Sequence, residues 1–120
     1  MRRKSKPVRH KYGVSPKIDR TVDGIVFASK KEACRYRELK QLRAAGAVRW
    51  FIRQPSFDLV VGDRPGSSDR ERPTVYRADY LIVMADGSIV VEDVKGVKTD
   101  VYRIKKRLVE ALYPIEIVET

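Results

Sequence analysis

The strongest constraint on the fold of this chain is the pair Asp86-Gly87, which separates two apolar runs rich in β-branched residues. In that setting Asp-Gly is one of the clearest short-range signals for a β-hairpin. If residues 85–87 form a three-residue loop with Gly87 in the left-handed conformation, Leu81 pairs with Val91 and apolar side chains face each other. A two-residue loop would set Leu81 against Glu92 instead. The hydrophobic pattern therefore predicts the three-residue loop.

The same register sets Asp79 opposite Asp93 at the outer end of the hairpin. Like charges in such a pair repel, and a divalent cation between them would reverse the sign of the interaction. Lys95 follows Asp93 by two residues, so strand alternation projects both side chains to one face and Val94 to the other. Mg²⁺ takes oxygen ligands, and a nearby ammonium can orient or deprotonate a water molecule. The pattern indicates a phosphodiester-cleaving site, although an Asp-x-Lys tripeptide also occurs in hairpins whose charges are merely solvated.

Composition bounds the class of protein. The chain has 120 residues and a formal net charge of +10, which predicts one small domain with a polyanionic partner, by default nucleic acid. Cys34 is the only cysteine, so the chain has no internal disulfide and a reducing compartment is expected. Because no apolar run approaches the length of a membrane span and no apolar stretch follows the basic N-terminus, we expect a cytoplasmic protein without membrane contact.

Residues 1–12 are predicted to be a disordered basic arm, and residues 13–120 a single domain. The arm holds no acidic residue and six basic ones, which are Arg2, Arg3, Lys4, Lys6, Arg9 and Lys11. Such an arm can lie along phosphates or serve only as a solubilising tail, and the sequence does not separate the two.

The first half of the domain is predicted to contain a small hairpin over 17–28 and then a helix. Ser29 with Glu32 three residues later fits a capping box, and Gly46 can close the helix in a left-handed conformation. The capping role alone can explain Glu32. Residues 48–61 fit either two strands or one bent strand, because Pro55 is confined to strand edges, ends or bulges.

The second half is predicted to end with a helix and a short strand. Residues 62–74 form a loop, Thr99 caps the second helix, and 115–118 alternate as a strand. The helix carries one apolar stripe, made of Val101, Ile104, Leu108 and Leu112. Its basic residues are also explained as a solvated face. The element order predicts a mixed α+β (α/β) fold with a central mixed β-sheet flanked by helices.

The order of Glu32, Gln54-Pro55, Asp79 and Asp93-Val94-Lys95 resembles the PD-(D/E)XK nuclease superfamily, which includes archaeal-type Holliday junction resolvases. The chain departs from the superfamily pattern at Ala78, where a proline usually precedes the first metal-binding aspartate. Nearly the whole chain after the first dozen residues also resembles a small phage and prophage family of no known function. The matching segments are Val22-Asp23-Gly24-Ile25, Phe27, 29–33, Gln54-Pro55, Ala78-Asp79-Tyr80, 92–96 and 99–106.

The resemblance implies a minimal PD-(D/E)XK core and assigns roles to its residues. Asp79 and Asp93 would bind the metal, with the backbone carbonyl of Val94 as a third protein ligand. Lys95 would position or activate water, and Glu32 would support the metal or its water shell. Gln54 would hydrogen bond in the site, although it can equally be an ordinary polar strand residue. The residues expected to contact DNA are Arg2, Arg3, Lys4, Lys6, Lys30, Lys31 and Lys105.

We therefore expect a Mg²⁺-dependent DNA endonuclease in which Mn²⁺ can substitute. A core this small leaves little room for reading a long base sequence, so a branched substrate such as a four-way junction is expected. Cutting paired strands needs two active sites, so we expect a homodimer. If the chain is phage-encoded, we expect it in the host cell cytoplasm. The alternatives are a non-catalytic DNA-binding protein of the same fold and a nuclease that needs a partner protein.

Overall fold

The computed structural model describes residues 15–59, 74–94 and 98–120. The chain divides into two compact units, Met1–Lys40 and Gln41–Thr120. The first unit contains a short 3₁₀ helix at Lys17–Arg20, strands β1 (Thr21–Val22) and β2 (Ile25–Val26), and most of helix α1 (Lys30–Ala44). The last turn of α1 belongs to the second unit.

The hairpin predicted over 17–28 is confirmed for residues 21–26, whereas Lys17–Arg20 forms a 3₁₀ helix instead of a strand. Strands β1 and β2 are antiparallel, and both turn residues have positive φ, 52° for Asp23 and 76° for Gly24. Such a turn matches the twist of the strands, which explains the preference for Asp-Gly. The Asp23 carboxylate also accepts hydrogen bonds from Lys40 Nζ at 2.5 Å and Tyr36 Oη at 3.1 Å. These two bonds lower the pKa of Asp23 and tie the turn to α1.

Both ends predicted for α1 are confirmed by their hydrogen bonds. Ser29 Oγ accepts the backbone N–H of Glu32 at 3.1 Å, which is the capping bond that the sequence indicates. At the other end, Gly46 has φ 86°, its N–H donates to the carbonyl of Arg43, and the N–H of Ala47 donates to that of Leu42. This bond pair is the Schellman motif, which satisfies the last carbonyls of a helix.

The second unit holds a four-stranded mixed sheet, as predicted. Its remaining elements are β3 (Val48–Arg53), β4 (Ser56–Asp58), β5 (Val75–Arg77), β6 (Tyr80–Met84), β7 (Ile89–Asp93), α2 (Asp100–Leu112) and β8 (Ile117–Glu119). The strand order is β3-β6-β7-β8, and only β7 and β8 run parallel. Strands β4 and β5 pair with each other in a separate antiparallel ladder.

The predicted register of the β6–β7 hairpin is confirmed. Leu81 pairs with Val91 and Val83 with Ile89. The N–H of Met84 donates to the carbonyl of Ser88 at 2.8 Å, and Gly87 has φ 88°. The loop is therefore residues 85–87, and the apolar runs face each other across the ladder.

Residues 48–59 form two strands rather than one bent strand. The break comes at Gln54, which has φ 51°, a left-handed value that is uncommon for a residue other than glycine. Its N–H donates to the carbonyl of Asp79 at 2.8 Å, and the N–H of Ala78 donates to the carbonyl of Pro55 at 3.1 Å. The chain leaves the four-stranded sheet here and enters the β4–β5 ladder.

Of the apolar stripe that its sequence shows, helix α2 packs only the half-buried Leu108 against the core. Val101 is 63% exposed, Ile104 59% and Leu112 51%, whereas Tyr102 and Val109 are buried. The two buried side chains belong to the core cluster of Leu59, Tyr76, Ala78, Val91, Tyr102, Val109 and Ile117. Packing against β5, β7 and β8 therefore decides which face of α2 is covered. No helix within the described ranges is long and apolar enough to cross a membrane.

The buried face of α2 can be tested by comparing two truncations. Val109→Ala should lower the free energy of unfolding by about 2 kcal/mol, because it empties space in a closed core. Leu112→Ala removes more atoms but from an exposed site, so a change within about 0.5 kcal/mol is expected. Urea unfolding of both variants measures the difference. A larger loss for Leu112→Ala would show that the predicted stripe is buried after all.

Candidate active site

Asp79 is held beside the end of β7 by backbone and side-chain bonds. Its N–H donates to the carbonyl of Glu92 at 3.1 Å, and its Oδ2 accepts the N–H of Val94 at 2.7 Å. The last pair of the ladder is Tyr80 with Glu92, and Asp79 and Asp93 are the next residues along the two chain segments. Asp79 thus lies beside the backbone of Val94, the residue that follows Asp93.

Asp93 lies at the end of β7 with its side chain fully buried, at 0% exposure, whereas Asp79 is half-buried. The hydroxyl of Tyr76 donates a hydrogen bond to Asp93 Oδ2. Burial raises the pKa of Tyr76 well above its ordinary value, and the hydrogen bond to Asp93 and the charge of Asp79 raise it further. Tyr76 therefore stays protonated at neutral pH and remains a donor that fixes the carboxylate of Asp93.

A second buried tyrosine adjoins the first. The rings of Tyr76 and Tyr102 have centroids 6.3 Å apart and an interplanar angle of 37°. Burial raises the pKa of Tyr102, and the charges of Asp93 and Glu119 add to the rise. Both hydroxyls are thus neutral hydrogen-bonding groups next to carboxylates.

Glu119 brings a third carboxylate to this end of the sheet. It pairs with Asp93 in the parallel β7–β8 ladder, so both side chains leave the sheet on the same face. Lys98 Nζ lies 2.5 Å from Glu119 Oε2, and Lys106 Nζ lies 2.7 Å from Oε1. The hydrogen bonds from Lys106 and Lys98 lower the pKa of Glu119 to about 2, and the same carboxylate raises the pKa of Lys106. Glu119 is therefore engaged by two ammonium groups.

Sequence analysis missed Tyr76, Tyr102 and Glu119. Tyr76 stands three residues before Asp79, but nothing in its local pattern distinguishes a site tyrosine from a core tyrosine. Glu119 could be linked to Asp93 only through the parallel pairing of β8, which local sequence does not specify. The one sequence feature that could have indicated Glu119 is its place as an acidic residue at the end of the final strand.

The oxygen donors present suit a hard cation. Mg²⁺ is commonly held by one or two carboxylates, with waters and substrate phosphates completing the shell. Asp79, Asp93 and the carbonyl of Val94 can supply such a set. Among the residues that the structure describes, no cluster of three or more His, Cys, Asp or Glu side chains could hold a metal ion. Among the described residues, the donors offered at this place are therefore these two carboxylates and the Val94 carbonyl.

The other predicted site residues are distributed differently. Gln54 is exposed and touches Asp79 through its backbone N–H. Glu32 belongs to the first unit, where it is buried at 5% exposure in the first turn of α1. The neighbouring Lys30 and Lys31 are exposed, and Lys105 is half-buried on α2. Five predicted residues lie outside the described ranges, namely Lys95, Arg2, Arg3, Lys4 and Lys6.

Residues 9–118 match the model of a family described as "Protein of unknown function (DUF1064)". The match agrees with the expected resemblance to a small family of no known function, and the description names no activity. No curated protein and no solved structure matches the chain.

The hydrogen bond to Asp93 can be tested with Tyr76→Phe. Removing the hydroxyl leaves a buried carboxylate short of one donor, so the free energy of unfolding should fall by about 1–3 kcal/mol. Tyr36→Phe is the matched control, because its hydroxyl donates to the exposed carboxylate of Asp23 and its loss should cost less than about 0.5 kcal/mol. Urea unfolding that gives equal losses would contradict the assigned role.

The ion pairs of Glu119 predict a specific acid dependence. Because the folded-state pKa is lowered to about 2 from 4.5, their stabilisation is present above pH 4.5 and is lost as the pH falls towards 2. The stability difference between the wild type and Glu119→Gln should therefore shrink over that range. A variant in which methionine replaces both Lys98 and Lys106 should differ from the wild type in the same way: the difference in free energy of unfolding should shrink as the pH falls. A difference that does not change with pH would contradict the ion pairs.

Proposed function

We propose that this chain, which belongs to the family described as "Protein of unknown function (DUF1064)", is a Mg²⁺-dependent DNA endonuclease of the PD-(D/E)XK type. One observation carries the proposal. Asp79 and Asp93 each follow the last ladder pair of the β6–β7 hairpin, Tyr80 with Glu92, and Val94 N–H donates to Asp79 Oδ2. Two carboxylates in that arrangement repel each other unless a cation or a donor network compensates.

Each residue of the candidate active site has a proposed role. Asp79, Asp93 and the carbonyl of Val94 hold the cation, and Tyr76 fixes the orientation of Asp93. The bound cation supplies charge stabilisation for the phosphoryl and leaving oxygens of an in-line displacement. By the resemblance to PD-(D/E)XK nucleases, Lys95 orients the attacking water and Glu32 supports the water shell. Mn²⁺ is expected to replace Mg²⁺ because it accepts the same oxygen ligands.

The substrate proposed is branched DNA, with a four-way junction as the first candidate. The net charge of +10 favours a polyanion, and the small sheet leaves little surface for base readout. Recognition would thus depend on phosphate positions and DNA shape. Symmetric cutting of a junction requires two copies of the site, so a homodimer is part of the proposal. A nuclease that acts only with a partner protein remains an alternative.

A second candidate function is DNA binding without catalysis. The observation that favours it is the complete burial of the Asp93 side chain, with one of its oxygens engaged by Tyr76. On this alternative the carboxylates are structural and the positive charge provides the binding. DNA affinity would then be independent of Mg²⁺ and of both aspartates.

The test is cleavage of a labelled four-way junction beside a matched linear duplex, with Mg²⁺, with Mn²⁺ and with EDTA. The variants are Asp93→Asn and Asp79→Asn, which keep side-chain volume and an acceptor oxygen. Each should reduce the cleavage rate by more than about 100-fold, since losing only a residue that supports a metal ligand already costs 10–100-fold. Binding of the junction in EDTA should be kept or tightened, because a charge that repels phosphate is removed.

The outcomes separate the candidates. Symmetric Mg²⁺-dependent cuts that vanish in both variants support the junction-cleaving nuclease. A rate that survives in Asp93→Asn contradicts the site assignment. Binding without cutting under every metal ion supports the non-catalytic candidate, unless an added partner protein restores cleavage.

A further inference from the structure

An open groove of about 450 Å³ lies between strand β5 and the first turns of α2. We call it the β5–α2 groove. Its lining residues are Val75, Tyr76, Arg77, Thr99, Val101, Tyr102 and Lys105. The volume falls in the range of clefts that hold a small molecule or part of a larger one. The groove adjoins the candidate active site, because the Tyr76 side chain that lines it also donates to Asp93.

The charge of the β5–α2 groove has one sign. Among the described residues that line it, Arg77 and Lys105 are cationic and none is acidic. Arg77 is exposed on β5, and a long contact of 3.4 Å joins its Nε to Ser56 Oγ on the paired strand. Lys105 stands on the facing helix, half-buried. Two cations on opposite walls of an open groove favour a ligand with negative charge along its length.

The floor and the mouth of the groove indicate which part of a nucleic acid it would hold. Tyr76 is 3% exposed and Tyr102 8%, so neither ring offers a face on which a base could stack. The mouth holds Val101, which is 63% exposed, and the exposed residue Thr99. Thr99 caps α2, so the positive end of the helix dipole lies at the same place. Sugar and phosphate fit this combination of cations and small apolar contact better than a base does.

We infer that the β5–α2 groove binds the sugar–phosphate backbone of one DNA strand, with Arg77 and Lys105 on its phosphates. The inference rests on the proposed function and deepens it by naming the surface that holds the substrate. It makes Arg77 a DNA contact, although its position in the sequence gives no such signal. A strand bound in the groove would lie against Tyr76, whose hydroxyl donates to Asp93.

Equilibrium binding in EDTA tests the inference without depending on cleavage. Fluorescence anisotropy of a labelled single-stranded oligonucleotide and of the four-way junction would be measured against salt concentration. The test variant is Arg77→Ala with Lys105→Ala. The matched control is Arg103→Ala with Arg107→Ala, which removes the same charge from exposed α2 residues outside the groove. Thermal unfolding of both double variants checks that each is folded.

Each phosphate contact on a single strand contributes about 0.7 to the slope of log affinity against log salt. The test variant should therefore lose about 1.4 from that slope, which corresponds to a loss of affinity of about 25-fold at 0.1 M salt. The control should lose less than about threefold, because its charges act only through the screened general field. Arg77→Lys with Lys105 intact should recover most of the affinity.

The groove and the nuclease proposals can fail separately. If test and control variants lose the same affinity and slope, the groove does not bind DNA, whatever the cleavage assay shows. If the test variant alone loses affinity while no metal ion supports cleavage, with or without an added partner protein, the groove assignment stands and the nuclease proposal fails. Competition by inorganic phosphate that equals competition by the oligonucleotide would overturn the assignment to a DNA strand.

Discussion

The register of the β6–β7 hairpin is the constraint on which the rest of the candidate site depends. A slip of one residue would turn every side chain of β7 to the opposite face of the sheet. In the register of a two-residue loop, Asp93 would leave Tyr76 and Val94 would occupy its place. The three-residue loop with Gly87 at φ 88° and the apolar pairs Leu81–Val91 and Val83–Ile89 both favour the observed register. Local turn chemistry and burial thus agree on a single arrangement.

The buried carboxylate of Asp93 needs compensation, since removing a charge from water costs several kcal/mol. The Tyr76 hydroxyl provides part of it through a hydrogen bond. Glu119, its neighbour in the parallel ladder, is drawn to Lys98 and Lys106, which reduces the repulsion between adjacent acidic residues. An apolar side chain at position 93 would avoid this desolvation cost. That cost is consistent with the proposed metal-binding role.

Tyr76 connects the two surfaces that the proposals use. Tyr76 lines the β5–α2 groove, and its hydroxyl donates a hydrogen bond to Asp93. A strand in the groove would contact the same residue that orients the carboxylate. Binding and chemistry would then share a rigid element of the core, because Tyr76 is buried among Tyr102, Val91 and other cluster residues.

The sequence by itself determined the local features. Asp-Gly turns, the Ser29 cap, the Gly46 terminus and the β6–β7 register all follow from short-range backbone preference and hydrophobic alternation. The apolar pairs Leu81–Val91 and Val83–Ile89 followed from them. Only the tertiary structure decided which face of α2 is buried, where the chain changes sheets at Gln54, and that β8 brings Glu119 beside Asp93. Those features depend on contacts between segments distant in the chain, whose energies no local pattern encodes.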